Sequence, residues 1–311
     1  MINLQPFPRV LRIEPASQCN LSCLHCPTGT VDMDRGIMSN NTFKNILKNI
    51  EENIAYIKVV VLYHGGEPLL NKNFFQYVSS IKKLNPEIFI KTVSNGMALT
   101  ESTVKKIINS EIDAIEFSLD GLSAEESQYI RVKSKSSKVI RNVKNLIQEK
   151  LRNNIQKPTI SIATTQFIRR SDIGKIPAQV PIPDWLLSEF GDEVAYKPEF
   201  AMRWPHMGDI SNFELVETVG NLKNYCDNVI STITVRADGT VVPCCFDLTS
   251  KLNMGNVNSD SLSDIWNGEG YKKLRKSINE RTPYSICSNC AIIAPPVYLV
   301  PNWAHEIKLS S

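Results

Sequence analysis

The 311-residue sequence has no apolar run long enough to span a bilayer. Its start, Met1 to Val10, lacks the basic region followed by an apolar one that marks a secretory signal. Both absences argue against a membrane-spanning or exported protein, so a cytoplasmic setting with reduced thiols is expected. Strong charge of either sign is also missing. The net charge is +3, which does not fit a dedicated nucleic-acid binder. The basic stretch from Lys133 to Arg152 reads as a solvated helix face and is assigned no function. Nor is there a disorder-like composition: 42% of residues are hydrophobic and 22% charged, enough to bury a sizeable core.

What is present is an alternation of short β-branched runs with helical periodicity. Strands are predicted at Val10–Glu14, Ile57–Tyr63, Ile88–Val93, Ala114–Leu119, Thr159–Thr165 and, more weakly, Val194–Lys197. Helices are predicted at Asn41–Asn53, Phe74–Leu84, Glu101–Asn109 and Val139–Leu151. Buried-type strands joined by helices imply a parallel sheet with right-handed crossovers. Six units are too few for a closed eight-fold barrel, so the expected fold is α/β, a partial (β/α)6 barrel with active residues at the carboxyl ends of its strands. After about residue 215 the pattern changes. Thr232–Arg236 and Thr240–Val242 flank Ala237-Asp238-Gly239, a hairpin signal; Leu262–Ile278 reads as a helix; the last thirty or so residues look irregular. We therefore expect two domains, residues 1–215 and 216–311, the second held by metal more than by a core of its own.

Eight cysteines are present, and clustered thiols in a reducing compartment point to metal before disulfides. Cys19, Cys23 and Cys26 form C-x3-C-x2-C in the loop after the first strand. Three thiolates on a four-iron cube leave one iron open to chelate a small molecule. The alternative is a structural zinc site, which needs four ligands and has only His25 nearby.

The segment Cys19-Asn20-Leu21-Ser22-Cys23-Leu24-His25-Cys26-Pro27 resembles the signature of the radical S-adenosylmethionine (SAM) superfamily. The resemblance implies that the open iron binds the amino and carboxylate groups of SAM. It also implies that SAM is split into methionine and a 5′-deoxyadenosyl radical that removes a hydrogen atom from a C–H bond. Other motifs follow in the family's order. Gly65-Gly66-Glu67-Pro68 follows the second strand, where the glycines allow close backbone approach and Glu67 can accept from an ammonium group. The family's usual small hydroxyl residue before it is replaced by His64. Ser118-Leu119-Asp120-Gly121 closes the fourth strand. By resemblance Ser118 and Arg131 would touch the SAM carboxylate, with Asp120 and Asn95 as further candidates for the SAM pocket.

The remaining cysteines are Cys226, Cys244, Cys245, Cys287 and Cys290. Cys226-x12-Gly239-x4-Cys244 followed by Cys287-x2-Cys290 is similar to the auxiliary-cluster region called SPASM, or its shortened twitch form. Five cysteines suit the shortened form, with one auxiliary 4Fe–4S cluster held by Cys226, Cys244, Cys287 and Cys290. A four-cysteine zinc ribbon is the alternative. Val242-Pro243-Cys244, Met254-Gly255-Asn256-Val257 and Ser263-Asp264-Ile265-Trp266 resemble twitch dehydrogenases of the butirosin type, which oxidise a secondary alcohol on an aminocyclitol.

Cys245 is surplus. Neighbours in an extended segment point to opposite faces, so Cys244 and Cys245 do not readily ligate one cluster. Cys245 is then either a small buried residue or a hydrogen-atom donor, as the similar Cys-Cys pair of radical SAM peptide epimerases implies. Three reaction outcomes remain open: a dehydrogenase passing an electron to the auxiliary cluster, an epimerase quenching through Cys245, and a peptide-modifying maturase. An N-terminal leader-binding domain, frequent in maturases, is not expected before a first strand near residue 10. A small-molecule or peptide substrate and a reducing partner such as flavodoxin or ferredoxin are expected, with neither nucleic acid nor membrane. Lys197, Arg203, Trp204 and His206 stand at or after the sixth strand as possible cavity residues.

Overall fold

The computed structural model describes residues 6–305. Six strands carry the first two-thirds: β1 (Val10–Ile13), β2 (Val59–Val61), β3 (Phe89–Ser94), β4 (Ala114–Ser118), β5 (Thr159–Gln166) and β6 (Ala195–Phe200). They pair in sequence order and all in parallel. The buried β-branched and aliphatic residues of these strands pack against the helices on the outer face. On one face Leu11, Ile13, Val60, Leu62 and Ile90 meet helical residues such as Ile46 and Tyr77. Further along, Ile115, Phe117, Ile160 and Ile162 meet Val143 and Leu146. Each such side chain contributes about 1.5–3 kcal/mol on burial. The side chains between them project from the opposite, inner face, among them Arg12, Glu116 and Ser118.

The chain then adds β7 (Phe213–Glu217), β8 (Thr232–Val235), β9 (Thr240–Val242), β10 (Gly255–Asn256) and β11 (Val297–Pro301). β8 runs parallel to β1 and pairs Val10 with Thr232. β9 and β10 continue antiparallel, giving one nine-stranded sheet in the order β10-β9-β8-β1-β2-β3-β4-β5-β6. β7 and β11 form a separate antiparallel pair.

The C-terminal segment shares a core with the barrel: Leu262, Ile265, Trp266 and Tyr271 pack in the same cluster as Leu11 and Ile46. The reason is topological, since β8 extends the sheet past β1 and the helices that follow cover the same face. The helix expected over Leu262–Ile278 is two, Leu262–Asn267 and Glu269–Asn279, broken at Gly268. Gly268 is extended (φ −74°, ψ 170°), ending one helix and starting the next. Arg275 stacks across the break, 4.1 Å from Trp266 and 4.8 Å from Tyr271. Residues 297–305 are also more regular than expected, because β11 pairs with β7 and seats Leu299 and Trp303 beside Phe167 and Phe213. Among the described residues no helix is long and apolar enough to cross a membrane.

The joint between barrel and C-terminal segment is polar as well as apolar. Asn49, on the helix Asn40–Glu52, accepts from the Leu262 amide at 2.7 Å, and Asn53 accepts from Ser263 at 2.9 Å. We predict that Asn49→Ala leaves the buried Leu262 amide unsatisfied and costs about 1–3 kcal/mol. Urea unfolding of the cluster-loaded protein measures this; an unchanged midpoint would show that the joint does not rest on this contact.

Candidate active site and auxiliary cluster pocket

Cys19, Cys23 and Cys26 lie in the loop between β1 and a short helix, Pro27–Thr30. Backbone bonds shape this loop: Cys26 N donates to Cys23 O at 3.2 Å, Ser22 N to Val132 O and Leu24 N to Ile130 O, both at 3.0 Å. Burial pushes the Cys23 thiol up to about 12 and raises Cys19 as well. Thiols so buried carry charge readily only when a cationic centre replaces their protons, which is the chemistry of a metal-cluster ligand.

Gly65, Gly66 and Glu67 follow β2 and lie over the same loop. A Cβ on Gly66 would come within 2.3 Å of Ala16 O and 2.4 Å of Gln18 O, so only glycine fits. The Glu67 amide donates to Gln18 O at 2.8 Å, and Thr28 Oγ1 donates to Gly65 O. The Glu67 carboxylate is buried and already engaged, accepting from Leu69 N (3.1 Å), Ser94 Oγ (2.9 Å) and Asn95 N (2.7 Å). It therefore ties the loop to the end of β3. Oε2 has one engaged lone pair and retains capacity for an ammonium donor. Asn95 is similarly occupied: its Nδ2 donates to Asn20 Oδ1 at 2.7 Å and approaches Cys19 Sγ at 3.8 Å.

Ser118 ends β4 on the inner face, half-buried. Asp120 is buried and accepts from Arg131 Nη1 at 2.7 Å and from Thr165 N at 2.9 Å, with His25 Nε2 3.8 Å away. Burial alone would raise the Asp120 carboxyl, but Arg131 and His25 hold it below its ordinary value. Burial likewise works against the Arg131 charge, and Cys23 and Asp120 more than restore it. The structure thus places Arg131 as a cation between Asp120 and the cysteine loop.

His64 and Glu14 form a contact that sequence reasoning missed. Glu14 follows β1, is 1% exposed, and accepts from Gly65 N (2.8 Å), Ala237 N (3.0 Å) and His64 Nδ1 (3.2 Å), with Arg236 Nε 3.5 Å away. Burial pushes its carboxyl up, yet His64, Arg236 and the Ala237 amide outweigh that and hold it at about 2. The unusual His at position 64 was the available signal, since a histidine in place of a small hydroxyl needs a partner.

In the C-terminal segment Cys226, Cys244, Cys287 and Cys290 line one small pocket, with Val229, Phe246, Ile278 and Ile293 among its other walls. Burial raises all four thiols, Cys287 to about 12 and Cys290 to about 11. Among the described residues no three His, Cys, Asp or Glu side chains are grouped to hold a single metal ion. Four thiols with no other ligand are the donor set of a 4Fe–4S cluster and equally of a four-cysteine zinc site. Cys245 does not line this pocket; it is in electrostatic range of Cys226, Cys290 and Tyr63. Of the other sequence candidates, Lys197 pairs with Glu116 and Trp204 packs on Phe246 with ring centroids 4.8 Å apart. The Arg203 amide donates to Val297 O and His206 has a positive φ of 55°, so both are set by backbone geometry.

Residues 13–163 match the radical SAM superfamily. Residues 226–291 match SPASM, an iron-sulfur cluster-binding domain. The chain carries a radical SAM domain followed by a SPASM domain. It is an enzyme whose cofactors are SAM and 4Fe–4S clusters. It is 24% identical over 91% of its length to a tungsten-containing aldehyde ferredoxin oxidoreductase cofactor-modifying protein of Pyrococcus furiosus, covering 87% of that protein. It is 22% identical over 90% of its length to an S-adenosyl-L-methionine-dependent 2-deoxy-scyllo-inosamine dehydrogenase of Niallia circulans, covering 92% of it. The crystal structure of BtrN in complex with AdoMet and 2-DOIA superposes with a TM-score of 0.61 at 18% identity, over 91% of this chain and 93% of that one. Radical SAM enzymes act on small-molecule or peptide substrates.

Two predictions follow from this geometry. Replacing Cys19, Cys23 and Cys26 together by Ala abolishes 5′-deoxyadenosine formation from SAM while the chain retains about four irons, the content of one cubane. Iron and sulfide analysis beside a SAM-cleavage assay checks both halves. Stoichiometric zinc in the variant would refute the auxiliary assignment. The second concerns pH. Glu14 shifts from an unfolded value of 4.5 to about 2 in the fold, so its contribution is full above 4.5 and disappears as pH falls toward 2. The stability gap between wild type and Glu14→Gln is therefore largest near neutral pH and narrows through that acid window. A gap independent of pH would contradict the assigned ionisation.

Proposed function

We propose that this radical SAM enzyme removes a hydrogen atom from a hydroxyl-bearing carbon of a small polar substrate, most simply a sugar or aminocyclitol, and completes a two-electron oxidation to the ketone. The observation that carries the reading is the apolar pocket lined by Cys226, Cys244, Cys287 and Cys290, which suits one auxiliary cluster. The full-length likeness to an aminocyclitol dehydrogenase supports it. When bound, the groups supply the hard chemistry: the site cluster an electron that splits SAM into methionine and the abstracting radical, the auxiliary cluster a sink for the electron left on the substrate.

The chain's own residues bind and orient. Cys19, Cys23 and Cys26 hold the site cluster. Gly65 and Gly66 present backbone to the SAM methionine, and Glu67 adds an acceptor for its ammonium. Ser118 faces its carboxylate, with Asn95, Asp120 and Arg131 bracing the loop around it. Residues 1–215 form the catalytic barrel and 216–311 the auxiliary module, docked through β8. A flavodoxin or ferredoxin supplies the electron in a cytoplasmic setting.

A second reading is favoured by the placement of Cys245 outside the four-thiol pocket and within range of Tyr63. There the thiol would return a hydrogen atom to the opposite face of the substrate radical to give an epimer, and the thiyl radical left on Cys245 would be restored by one electron from the reducing partner and one proton. The two outcomes differ in mass. Oxidation removes two hydrogens; epimerisation in heavy water adds one deuterium. We expect wild type in heavy water to give the lighter product, little altered by Cys245→Ala. A singly deuterated product that vanishes in Cys245→Ala would replace the dehydrogenase with an epimerase.

A further inference from the structure

The inner face of the sheet holds a cation without an anion. Arg12 stands on β1 between Leu11 and Ile13, both fully buried against the helices, so its own side chain projects inward. Its guanidinium lies 5.9 Å from the centre of the Tyr63 ring. The Nε and Nη1 atoms are buried and neither has a hydrogen-bond partner. Across the β1–β8 ladder Arg12 is in register with Thr234. Thr234 is 0% exposed and its Oγ1 is likewise unpartnered. Parallel neighbours lie ~4.8 Å apart, so the two residues leave adjacent strands side by side on the same face.

Among the described residues no acid of the inner face is committed to them. Glu14 is engaged by Gly65, Ala237, His64 and Arg236. Glu116 is engaged by Lys91 at 2.9 Å and by Lys197. Glu199, on the exposed edge strand β6, leaves both Arg12 atoms unpartnered. Arg12, Arg236, Lys91 and Lys197 thus outnumber the three acids of these strands, and Arg12 is the cation whose guanidinium has no hydrogen bond at Nε and Nη1 and no acid committed to it. A buried polar group left unmatched costs about 1–3 kcal/mol, more when charged. Fork-shaped guanidinium donors match the oxygens of a carboxylate or a phosphate.

We propose that Arg12 and Thr234 form an anion-recognition subsite for the substrate, which carries a carboxylate or phosphate group. This rests on the reading of the barrel interior as the substrate chamber and narrows it. The substrate is an acidic molecule, such as a sugar acid or sugar phosphate, and not a free aminocyclitol. Its acidic group sits against β1 and β8, two strands brought together from opposite ends of the chain. Tyr63 lies beside that group, within range of Cys245.

Crystals of the cluster-loaded, SAM-bound enzyme soaked in selenate test the subsite. The expected result is an anomalous selenium peak between Arg12 and Thr234. The peak should vanish in Arg12→Gln and lose about tenfold in affinity or more, the loss of a charge-assisted contact. It should weaken in Thr234→Val, an isosteric change that keeps the fold. Acetate at equal concentration separates the two acid classes: displacement of the selenate marks a carboxylate site, persistence a phosphate site. Ordered water in place of selenate in the wild type, or a peak that survives Arg12→Gln, overturns the proposal. So does loss of SAM binding in Arg12→Gln without a wild-type peak, which would assign Arg12 to SAM. The readout needs no turnover, so a failed oxidation assay and a failed anion site are told apart.

Discussion

The carboxylate of Glu14 is the joint on which the arrangement depends. It ends β1, and its two oxygens hold the Gly65 amide of the SAM loop and the Ala237 amide of the β8–β9 turn. His64 and Arg236 close around it from the same two segments. A carboxylate this buried survives ionised only because every side of it is matched. The cysteine loop begins a few residues later, so one charge fixes the distance between the SAM-binding end of the barrel and the strand pair that leads to the auxiliary cysteines. Hydrophobic packing through Trp266 and Tyr271 supplies affinity between the two parts. Glu14 supplies the register.

The parts of the site differ in what holds their charge. Around the SAM loop, buried acids meet full partners: Glu67 takes amides and a hydroxyl, Asp120 takes Arg131. Around the auxiliary pocket the walls are mostly apolar and the thiols face one another. Burial raises thiols in both places, so at each a bound cluster would take the place of their protons.

Much of this was legible in the sequence where a local pattern carries the information. The six parallel strands are marked by β-branched runs, and five of them lie within two residues of the expected bounds at each end. The cysteine spacing separates two groups, and the structure brings Cys226, Cys244, Cys287 and Cys290 to one pocket although Cys226 and Cys287 are far apart in sequence. What escaped was non-local. No window of sequence shows that Thr232–Val235 pairs with β1, or that Val297–Pro301 finds Phe213–Glu217. The short helix Ala124–Ile130 is also too brief for periodicity, and only its Ser123 cap signals it. Arg12 was invisible as a candidate because its meaning lies in what it fails to touch.

The pairing of β1 with β8 also constrains the order of events during synthesis. β1 lies between β2 and β8, and its β8 partner is more than two hundred residues downstream. Until that segment leaves the ribosome, one side of the first strand remains an open edge with unpaired amides, beside a loop of three reactive thiols. The growing chain passes through a long interval in which the barrel is nearly built and its seam is open. Contacts this distant in sequence form slowly.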